Sequence, residues 1–285
     1  MTLGNPNADI FIPDGTAPAE ALARTTHLGI GAHQDDLEFM AFHGILECFE
    51  KPGHSFCGIV LTDGSGSPRS GAFAGNSGSE IAQIRHTEQR KAASVGKYGA
   101  MIQLGYASAE LKDPANPNPL RDLAEILRAA KPETAYIHNP ADKHPTHLAA
   151  FALSLRALRS LPKSERPRRL IGCEVWRSLD WLPDTEKIRM DTGGNETLAA
   201  ELNSAFESQI SGGKRYDLAV PGRRRANATF CDPHSTDSAQ ETILGMDLTP
   251  LIADDTLDPV QFTCEMVHRF ETEVRQALKS ALGIP

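Results

Sequence analysis

The chain has 285 residues, a mass of 30.9 kDa and a formal net charge of −8 at pH 7. This length suffices for a substantial core, and the acidic balance argues against a surface that neutralises nucleic-acid phosphates, so we expect no nucleic-acid partner. No apolar run is long enough to span a bilayer, and no basic segment precedes an apolar one at the N-terminus. Five scattered cysteines without a CxxC pair indicate free thiols, and the sequence therefore predicts a cytoplasmic protein.

Apolar runs alternate with helical patterns along the first two thirds of the chain. Residues 1–24, rich in Pro, Ala and Asp, predict an N-terminal arm with a short helix near its end. The predicted strands then cover residues 26–32, 55–61, 101–104, 134–138 and 169–176, and the predicted helices cover residues 38–50, 80–96, 120–130 and 145–158. Strands and helices that alternate at this spacing imply parallel β-α-β crossovers.

The pattern weakens after Trp181. We expect an irregular stretch over residues 182–256 and a final helix over residues 260–282. The sequence thus predicts an α/β fold, a Rossmann-like three-layer sandwich with a mostly parallel sheet and an irregular C-terminal elaboration. After the arm at 1–24 we expect a single domain over 25–285, with an α/β core at 25–181 and a substrate-side elaboration and C-terminal helix at 182–285.

Two polar clusters follow predicted strands, at the edge where ligands gather in open α/β sheets. His33 and Asp36 bound the first cluster, HQDD, and can converge on one point from the mouth of a helix. His144 and His147 end the second cluster, HNPADKHPTH, and face the same way, so one can bind a metal while the other stays free beside it. Two histidines and a carboxylate, with one position open for water, suit a hydrolytic zinc centre.

Asp35 is the informative member of the first cluster. Its neighbour Asp36 already supplies a carboxylate ligand, and consecutive side chains diverge, so Asp35 is free to meet a metal-bound water as general base. The alternative is that the two aspartates only cap a helix and that the histidines are hydrogen-bonded surface residues. We favour the metal centre because both clusters lie at strand ends and together supply three ligands, a base and a spare imidazole.

The first cluster lies in a segment that resembles a known family signature. Gly31 to Glu38 (GAHQDDLE) is similar to the Ala-His-Pro-Asp-Asp-Glu motif of the LmbE-like, or PIG-L, zinc-dependent N-acetylglucosaminyl deacetylases. Two further motifs follow in the family's order, RHTE at 85–88 and a stretch at 138–147 similar to His-x-Pro-x-Asp-x-His-Pro-Asp-His. The agreement covers residues 28–150, with weaker likeness up to Trp181.

The resemblance implies three zinc ligands, which are His33, Asp36 and His147. It also implies that Asp35 is the general base, that His144 stabilises the oxyanion or protonates the departing amine, and that Arg85 contacts substrate hydroxyls. For Arg85 the alternative is an ordinary helix-face ion pair with Glu88.

Among the positions where the chain departs from the family pattern are 34 and 146. Gln34 stands where the family has proline, which changes the stiffness of the loop without loss of chemistry. Thr146 replaces the aspartate of the His-Pro-Asp-His motif. If that carboxylate tunes the neighbouring imidazole, the pKa of His144 differs here.

Other segments supply candidate substrate contacts. The Gly/Ser-rich loop at 62–71 follows the second strand after the arm, and we interpret it as a substrate-facing flap that includes Ser65, or alternatively as a solvated linker. Trp176 can form a stacking wall for a sugar ring, although Trp more often packs in a core. His234, in a turn, can reach the site from the C-terminal region or from a neighbouring subunit. The basic residues at 214–215 and 223–225 can bind a phosphate or carboxylate, but we favour a solvated basic face.

These observations predict a hydrolase, dependent on Zn²⁺ or alternatively Fe²⁺, that removes an N-acetyl group from a GlcNAc-type amino sugar or its conjugate. A homo-oligomer is compatible with the sequence. One alternative is a non-haem iron oxygenase, because two histidines and one carboxylate also form its facial triad. Another is a sugar-binding relative without catalysis, for which Thr146 is the best argument.

Overall fold

The predicted apolar strands pair into one sheet of eight strands. In the computed structural model, which describes residue 1 and residues 3–285, the strands are β1 (Asp9–Phe11), β2 (His27–Gly31), β3 (Phe56–Thr62), β4 (Ala100–Tyr106), β5 (Thr134–His138), β6 (Arg169–Cys173), β7 (Lys187–Asp191) and β8 (Thr242–Asp247). They lie in the order β1-β4-β3-β2-β5-β6-β8-β7. The five strands from β4 to β6 run parallel, whereas β1 and β8 pair antiparallel with β4 and β6, and β7 pairs antiparallel with β8.

Helices cover both faces of the sheet. In the described part of the chain they are α1 (Pro18–Ala23), α2 (Asp36–Met40), α3 (Phe42–Cys48), α4 (Gly78–Val95), α5 (Ser108–Leu111), α6 (Asn118–Ala130), α7 (Pro145–Arg159), α8 (Glu196–Ser204), α9 (Glu207–Ile210), α10 (Tyr216–Thr229), α11 (Thr249–Ala253) and α12 (Pro259–Leu282). Alternate strand residues enter two separate cores, one under α6 and α7 and the other under α2, α3, α4 and α8. The predicted α/β three-layer sandwich with a mostly parallel sheet is confirmed.

Two glycines of β2 let α2 lie directly against the sheet. A Cβ atom on Gly29 would come within 2.9 Å of the Leu37 side chain, and one on Gly31 would come within 3.0 Å of the Asp36 Cβ atom. Any larger side chain would push α2 outward. The start of α2, which carries Asp36, is therefore held close to the end of β2.

The structure differs from the predicted elements at several points. The N-terminal arm contributes β1, which extends the sheet and is tied to α4 by Asp9, an ion-pair partner of His86 and Arg90. The predicted helix over 38–50 is interrupted at Ala41, between α2 and α3. Residues 182–256 are not irregular, since they form β7, β8 and four helices.

The final helix is confirmed as α12, which begins at Pro259 beside an Asp258 N-cap. All five cysteines are free thiols, as expected. No helix among the described residues is long and apolar enough to cross a membrane.

Candidate metal centre and cavity

The two polar clusters of the sequence meet at one edge of the sheet. β2 and β5 are parallel neighbours, paired from His27 with Thr134 onward, so their carboxyl ends lie side by side. The first cluster follows β2 and the second leads from β5 into α7. This adjacency follows from topology and brings together residues more than a hundred positions apart in the chain.

His33, Asp36 and His147 form a triangle of donor atoms. The His33 Nδ1 atom lies 3.4 Å from Asp36 Oδ2 and 3.2 Å from His147 Nε2, and His147 Nε2 lies 3.4 Å from Asp36 Oδ1. Tetrahedral zinc bonds of roughly 2.0–2.1 Å separate two ligand atoms by about 3.3 Å. The donors therefore fit a zinc-sized cation in both chemistry and spacing.

Asp142 contacts the ring nitrogen of His147 that does not belong to the donor triangle. Its Oδ2 atom lies 3.3 Å from His147 Nδ1, and the carboxylate also accepts the backbone N–H groups of His144 at 2.9 Å and Trp176 at 3.1 Å. A carboxylate on the far nitrogen fixes the tautomer of a ligating histidine and raises its basicity. Burial lowers the pKa of His147, but Asp36 and Asp142 outweigh burial and raise it. Asp142 is not among the site residues predicted from the sequence, although it matches the first of the two aspartates in the family's third motif.

The imidazoles around Asp36 stabilise its negative charge. Burial raises the pKa of Asp36, but the neighbouring imidazoles, His147 first, outweigh burial and bring that pKa well below its ordinary value. Asp36 is thus a carboxylate surrounded by imidazoles. Such an anionic centre attracts a divalent cation.

His138 lies under the triangle and is fully buried. Its Nε2 atom is 3.3 Å from Asp36 Oδ2, but the same nitrogen accepts the Ala32 N–H at 2.9 Å. Because that hydrogen bond uses the lone pair, His138 has none free for a cation. Burial lowers the pKa of His138 to about 4, in agreement with a neutral ring whose Nε2 atom is an acceptor.

Asp35 lines the same cavity in a left-handed backbone conformation, with φ 88° and ψ −29°. Its N–H donates to Gln89 Oε1 at 3.2 Å, and its Oδ2 accepts from Arg85 at 3.1 Å. A non-glycine residue in this region carries strain that persists only where its surroundings hold it. Burial raises the pKa of Asp35 well above its ordinary value, Asp36 adds to this, and Arg85 opposes it.

Arg85 is buried and holds the first cluster to the Gly/Ser-rich loop. Besides Asp35, its guanidinium donates to the Gln34 carbonyl and to the Ser67 hydroxyl. The alternative of a helix-face ion pair with Glu88 is wrong, because the Glu88 carboxylate instead accepts from the N–H and hydroxyl of Ser208 at 2.6 Å each.

His144 is the N-cap of α7 and faces the triangle. Its ring centroid lies 5.0 Å from that of His33 and 4.6 Å from that of His147. The Thr146 N–H donates to His144 Nδ1 at 3.2 Å, so a neutral His144 ring carries its hydrogen on Nε2. Burial, followed by the two neighbouring histidines, lowers the pKa of His144 to about 4.

These groups open into a cavity of about 670 Å³. Trp176 lines it, and its ring centroid lies 6.2 Å from that of His144. The structure does not bring Ser65 or His234 into the lining. Ser65 turns back to Asp63, to which its N–H and hydroxyl donate, and His234 lies exposed in the turn after α10.

The opposite wall comes from the stretch that the sequence suggested to be irregular. It includes cationic and aromatic residues of α10 and the preceding turn, which are Lys214, Tyr216, Arg223 and Arg224. Arg224 is buried, donates to the Glu38 carbonyl at 2.6 Å and lies over the Phe42 ring. The preferred interpretation of a solvated basic face therefore holds for Arg215 and Arg225, which are exposed, but not for Arg224.

The model of one protein family, described as PIG-L, GlcNAc-PI de-N-acetylase, matches residues 28–158. These residues are a PIG-L family domain. The resemblance predicted from the sequence is confirmed for these residues, which are somewhat less than half of the chain and belong to a family of deacetylase enzymes. The PIG-L domain contains the whole donor triangle and Asp35. The family is metal-dependent in general, and the described residues include two overlapping groups that could hold an ion, one of His33, His144 and His147 and the other of Asp36, His138 and His147.

Individual proteins resemble the chain beyond this match. The uncharacterized deacetylase YaiS of Escherichia coli K12 is 27% identical over 155 residues, which are 53% of this chain and 77% of that protein. N,N'-diacetylchitobiose deacetylase from Pyrococcus horikoshii has a TM-score of 0.59 at 17% identity, over 81% of this chain and 86% of that one. GalB, the 4-carboxy-2-hydroxymuconate hydratase of Pseudomonas putida, has a TM-score of 0.57 at 16% identity, over 79% and 95%. These two structures share the fold.

Proposed function

We propose that the protein is a zinc-dependent deacetylase that hydrolyses the N-acetyl group of an amino sugar or its conjugate. His33, Asp36 and His147 hold the ion, and Fe²⁺ is the other cation that suits this set. When bound, zinc supplies a Lewis acid that lowers the pKa of a water to roughly 7. The family match, the deacetylase relative and the spacing of the donors support this proposal.

The observation that carries the proposal is the position of Asp35. It lines the cavity next to the donor triangle, and Gln89 and Arg85 fix its backbone and one carboxylate oxygen. No hydrogen bond to its Oδ1 atom exists among the described residues. Asp35 Oδ1 takes the proton from water as the water oxygen bonds to the amide carbon, and it returns that proton to the nitrogen as the C–N bond breaks. The products are acetate and a free amine.

His144 has two candidate roles, and its hydrogen bonding favours one of them. The N–H of Thr146 occupies Nδ1, so the Nε2–H of the neutral ring is a donor that faces the cavity. Such a donor stabilises the oxyanion that develops on the carbonyl oxygen. In this geometry Thr146, which replaces the family aspartate, sets the tautomer of His144 through its backbone. The substitution is therefore compatible with catalysis.

The proposal is tested by acetate release from the zinc-loaded protein with a panel of N-acetylated amino sugars. Asp35→Asn is expected to bind one equivalent of zinc and to lose at least about 100-fold in kcat, because general-base catalysis contributes about 10²–10⁴. Asp113→Asn, an exposed change elsewhere, is the matched control and should retain full activity. A fully active Asp35→Asn variant would contradict the mechanism.

Two alternatives give different results in the same assay. An iron oxygenase needs no carboxylate base beside its water, so oxygen consumption during turnover would favour it. A binding protein would hold zinc and sugar without releasing acetate. The cytoplasmic location and a homo-oligomeric assembly stay predictions.

A further inference from the structure

The last helix, α12, leaves an apolar stripe exposed along its length. Of the ten large apolar side chains exposed in the described part of the chain, six lie between residues 260 and 284. Single residues of this kind are ordinary on a protein surface, whereas a contiguous row marks an interaction site. Val260, Val267 and Val274 recur every seven residues and are 70%, 45% and 40% exposed. They form one row on the surface of the helix.

The second half of α12 packs against nothing in the described part of the chain. Only Phe262 and Met266 of its 24 residues are buried, and residues 273–282 are all exposed. An isolated helix of fewer than about 12–15 residues is marginal in water, because most helices gain their stability by packing an apolar face. The valine stripe is the face that can supply such packing.

The stripe has the spacing of a seam between two helices. Thr263, Phe270 and Ala277 each follow a valine of the stripe by three positions. Alternating steps of three and four are the a and d pattern of a heptad repeat, which here extends over three repeats. A helix with the same repeat fits this seam, and a second copy of α12 has that repeat.

The charged residues beside the seam are symmetric about Thr272. Arg269 and Glu271 precede it, and Glu273 and Arg275 follow it. If two copies of α12 lie antiparallel with Thr272 at the centre, each flank of the seam holds two glutamates and two arginines. Each glutamate then lies about 3 Å along the axis from an arginine of the other copy. The two flanks are therefore neutral, and α12 is complementary in charge to itself, as a two-fold contact requires.

The same antiparallel arrangement pairs large side chains with small ones. It places Val267 opposite Ala277 of the second copy, and Phe270 opposite Val274 of the second copy. A parallel pair would put Phe270 against itself and Ala277 against itself, so one layer would be wide and the other narrow. Layers of similar total size pack without voids. The side-chain sizes thus favour the antiparallel pair.

The size of the stripe sets the strength of such a contact. A helix of 24 residues is about 36 Å long. An apolar stripe about 100° wide covers roughly 400–450 Å² of accessible surface on each copy, or about 900 Å² in total. This area lies at the low end of specific interfaces, so the contact should dissociate in the micromolar range.

We propose that α12 is a dimerisation helix, which pairs antiparallel with α12 of a second copy of this chain through the valine stripe. The two-fold axis passes near Thr272, so the two PIG-L domains lie at opposite ends of the helix pair. Each exposed half of α12 then packs beside the first half of the other copy's helix. The proposal concerns assembly and does not rest on the proposed deacetylase function.

Sedimentation equilibrium of the full chain, over about 2–200 µM, tests the proposal. The mass is expected to rise with concentration from 30.9 kDa towards twice that value. Val267→Gln combined with Val274→Gln should weaken dimerisation at least about tenfold, because four apolar side chains leave the seam. Gln276→Ala, on the opposite face of the helix, is the control and should dimerise as the wild type does.

Two results of this measurement would overturn the proposal. One is a single species of 30.9 kDa at every concentration, which would leave the stripe to a different partner. The other is a dimer that the Val267→Gln and Val274→Gln changes leave as tight as before, which would place the contact elsewhere on the protein.

Charge reversal tests whether the occupant of the seam is a second copy. Arg269→Glu with Arg275→Glu makes both flanks acidic, and Glu271→Lys with Glu273→Lys makes both flanks basic. Each double variant alone should be largely monomeric, because like charges face each other across the seam. An equimolar mixture should form a heterodimer at least about tenfold tighter than either homodimer. If both variants keep their helix content by circular dichroism and the mixture stays monomeric, the self-pairing of α12 is refuted.

Disulfide cross-linking tests the orientation of the two helices. The background carries Cys231→Ser and Cys264→Ser, which remove the two cysteines that are not buried. Proteins with Val267→Cys and with Ala277→Cys are mixed under mild oxidation. A cross-link between the two different variants is expected for the antiparallel pair. Efficient cross-linking of the Ala277→Cys protein with itself would overturn the antiparallel arrangement.

Discussion

Replacing Asp142 by asparagine should weaken the metal centre without removing any proposed ligand. The Asp142 carboxylate accepts three N–H groups, from His144, His147 and Trp176, and it is almost fully buried. An amide has a single acceptor oxygen, so one or two of these donors would face an NH₂ group. A buried donor without a partner costs about 1–3 kcal/mol. We therefore expect the metal-free Asp142→Asn protein to lose about 1–3 kcal/mol in its free energy of unfolding.

The same change should lower zinc affinity about 10–100-fold, because the carboxylate no longer orients His147 or raises its basicity. Urea unfolding in the presence of chelator measures the first effect, and competition with a chromogenic chelator measures the second. Asp122→Asn is the matched control, since Asp122 is also buried and accepts from Gly4, Asn5 and Tyr106. It should lose similar stability and bind zinc normally. If Asp142→Asn lost stability but bound zinc as tightly as the wild type, the role given to His147 would be refuted.

Three further changes test other parts of the structure. Gln34→Ala should cost about 1–3 kcal/mol in urea unfolding, because the Gln34 amide donates to the Thr62 carbonyl and to Gln103, and normal stability would show that these bonds contribute nothing. Arg85→Met leaves Asp35 buried without its cation and should cost about 3 kcal/mol in the same assay, whereas a loss below about 1 kcal/mol would contradict the buried pair. Burial lowers the pKa of His27 to about 4, so this ring is neutral in the folded protein and protonated in the unfolded chain between pH 4 and 6.5. The free energy of unfolding should therefore fall as pH drops from about 6.5 to about 4, by about 1–2 kcal/mol for this partly exposed group, and His27→Gln should lose that component in urea titrations across the range.

Much of the architecture could be predicted because the parallel strands are apolar throughout. β3 and β5 are buried at every residue, and β5 is followed by α7, whose buried face is mostly apolar. In an open α/β sheet, ligands gather at the carboxyl ends of the strands. Because β2 and β5 are neighbours, the two polar clusters that follow them lie close together. The short distances between the side chains of His33, Asp36 and His147 follow from the pairing of β2 with β5.

The C-terminal part could not be predicted in the same way. α10 contains Pro221 and Gly222, which normally argue against a helix interior, and its exposed side is formed by arginines. β7 alternates charged and apolar residues over only five positions, so its pattern is too short to identify. Asp142 could not be predicted for another reason. It lies in a loop, and its contacts with His144, His147 and Trp176 depend on the orientation of its side chain, which the sequence does not show.

The docking of α9 and α10 onto the PIG-L domain also has an evolutionary consequence. Ser208 binds Glu88 and Arg224 binds the Glu38 carbonyl, so two buried polar contacts fasten this wall to α4 and α2. The hydrolytic groups and the wall are thus encoded in separate stretches of the gene. Segments between these two anchors can diverge, or be grafted from a relative, while the metal centre stays intact. Changes in the residues between these two contacts can therefore alter the cavity wall without moving the residues of the donor triangle.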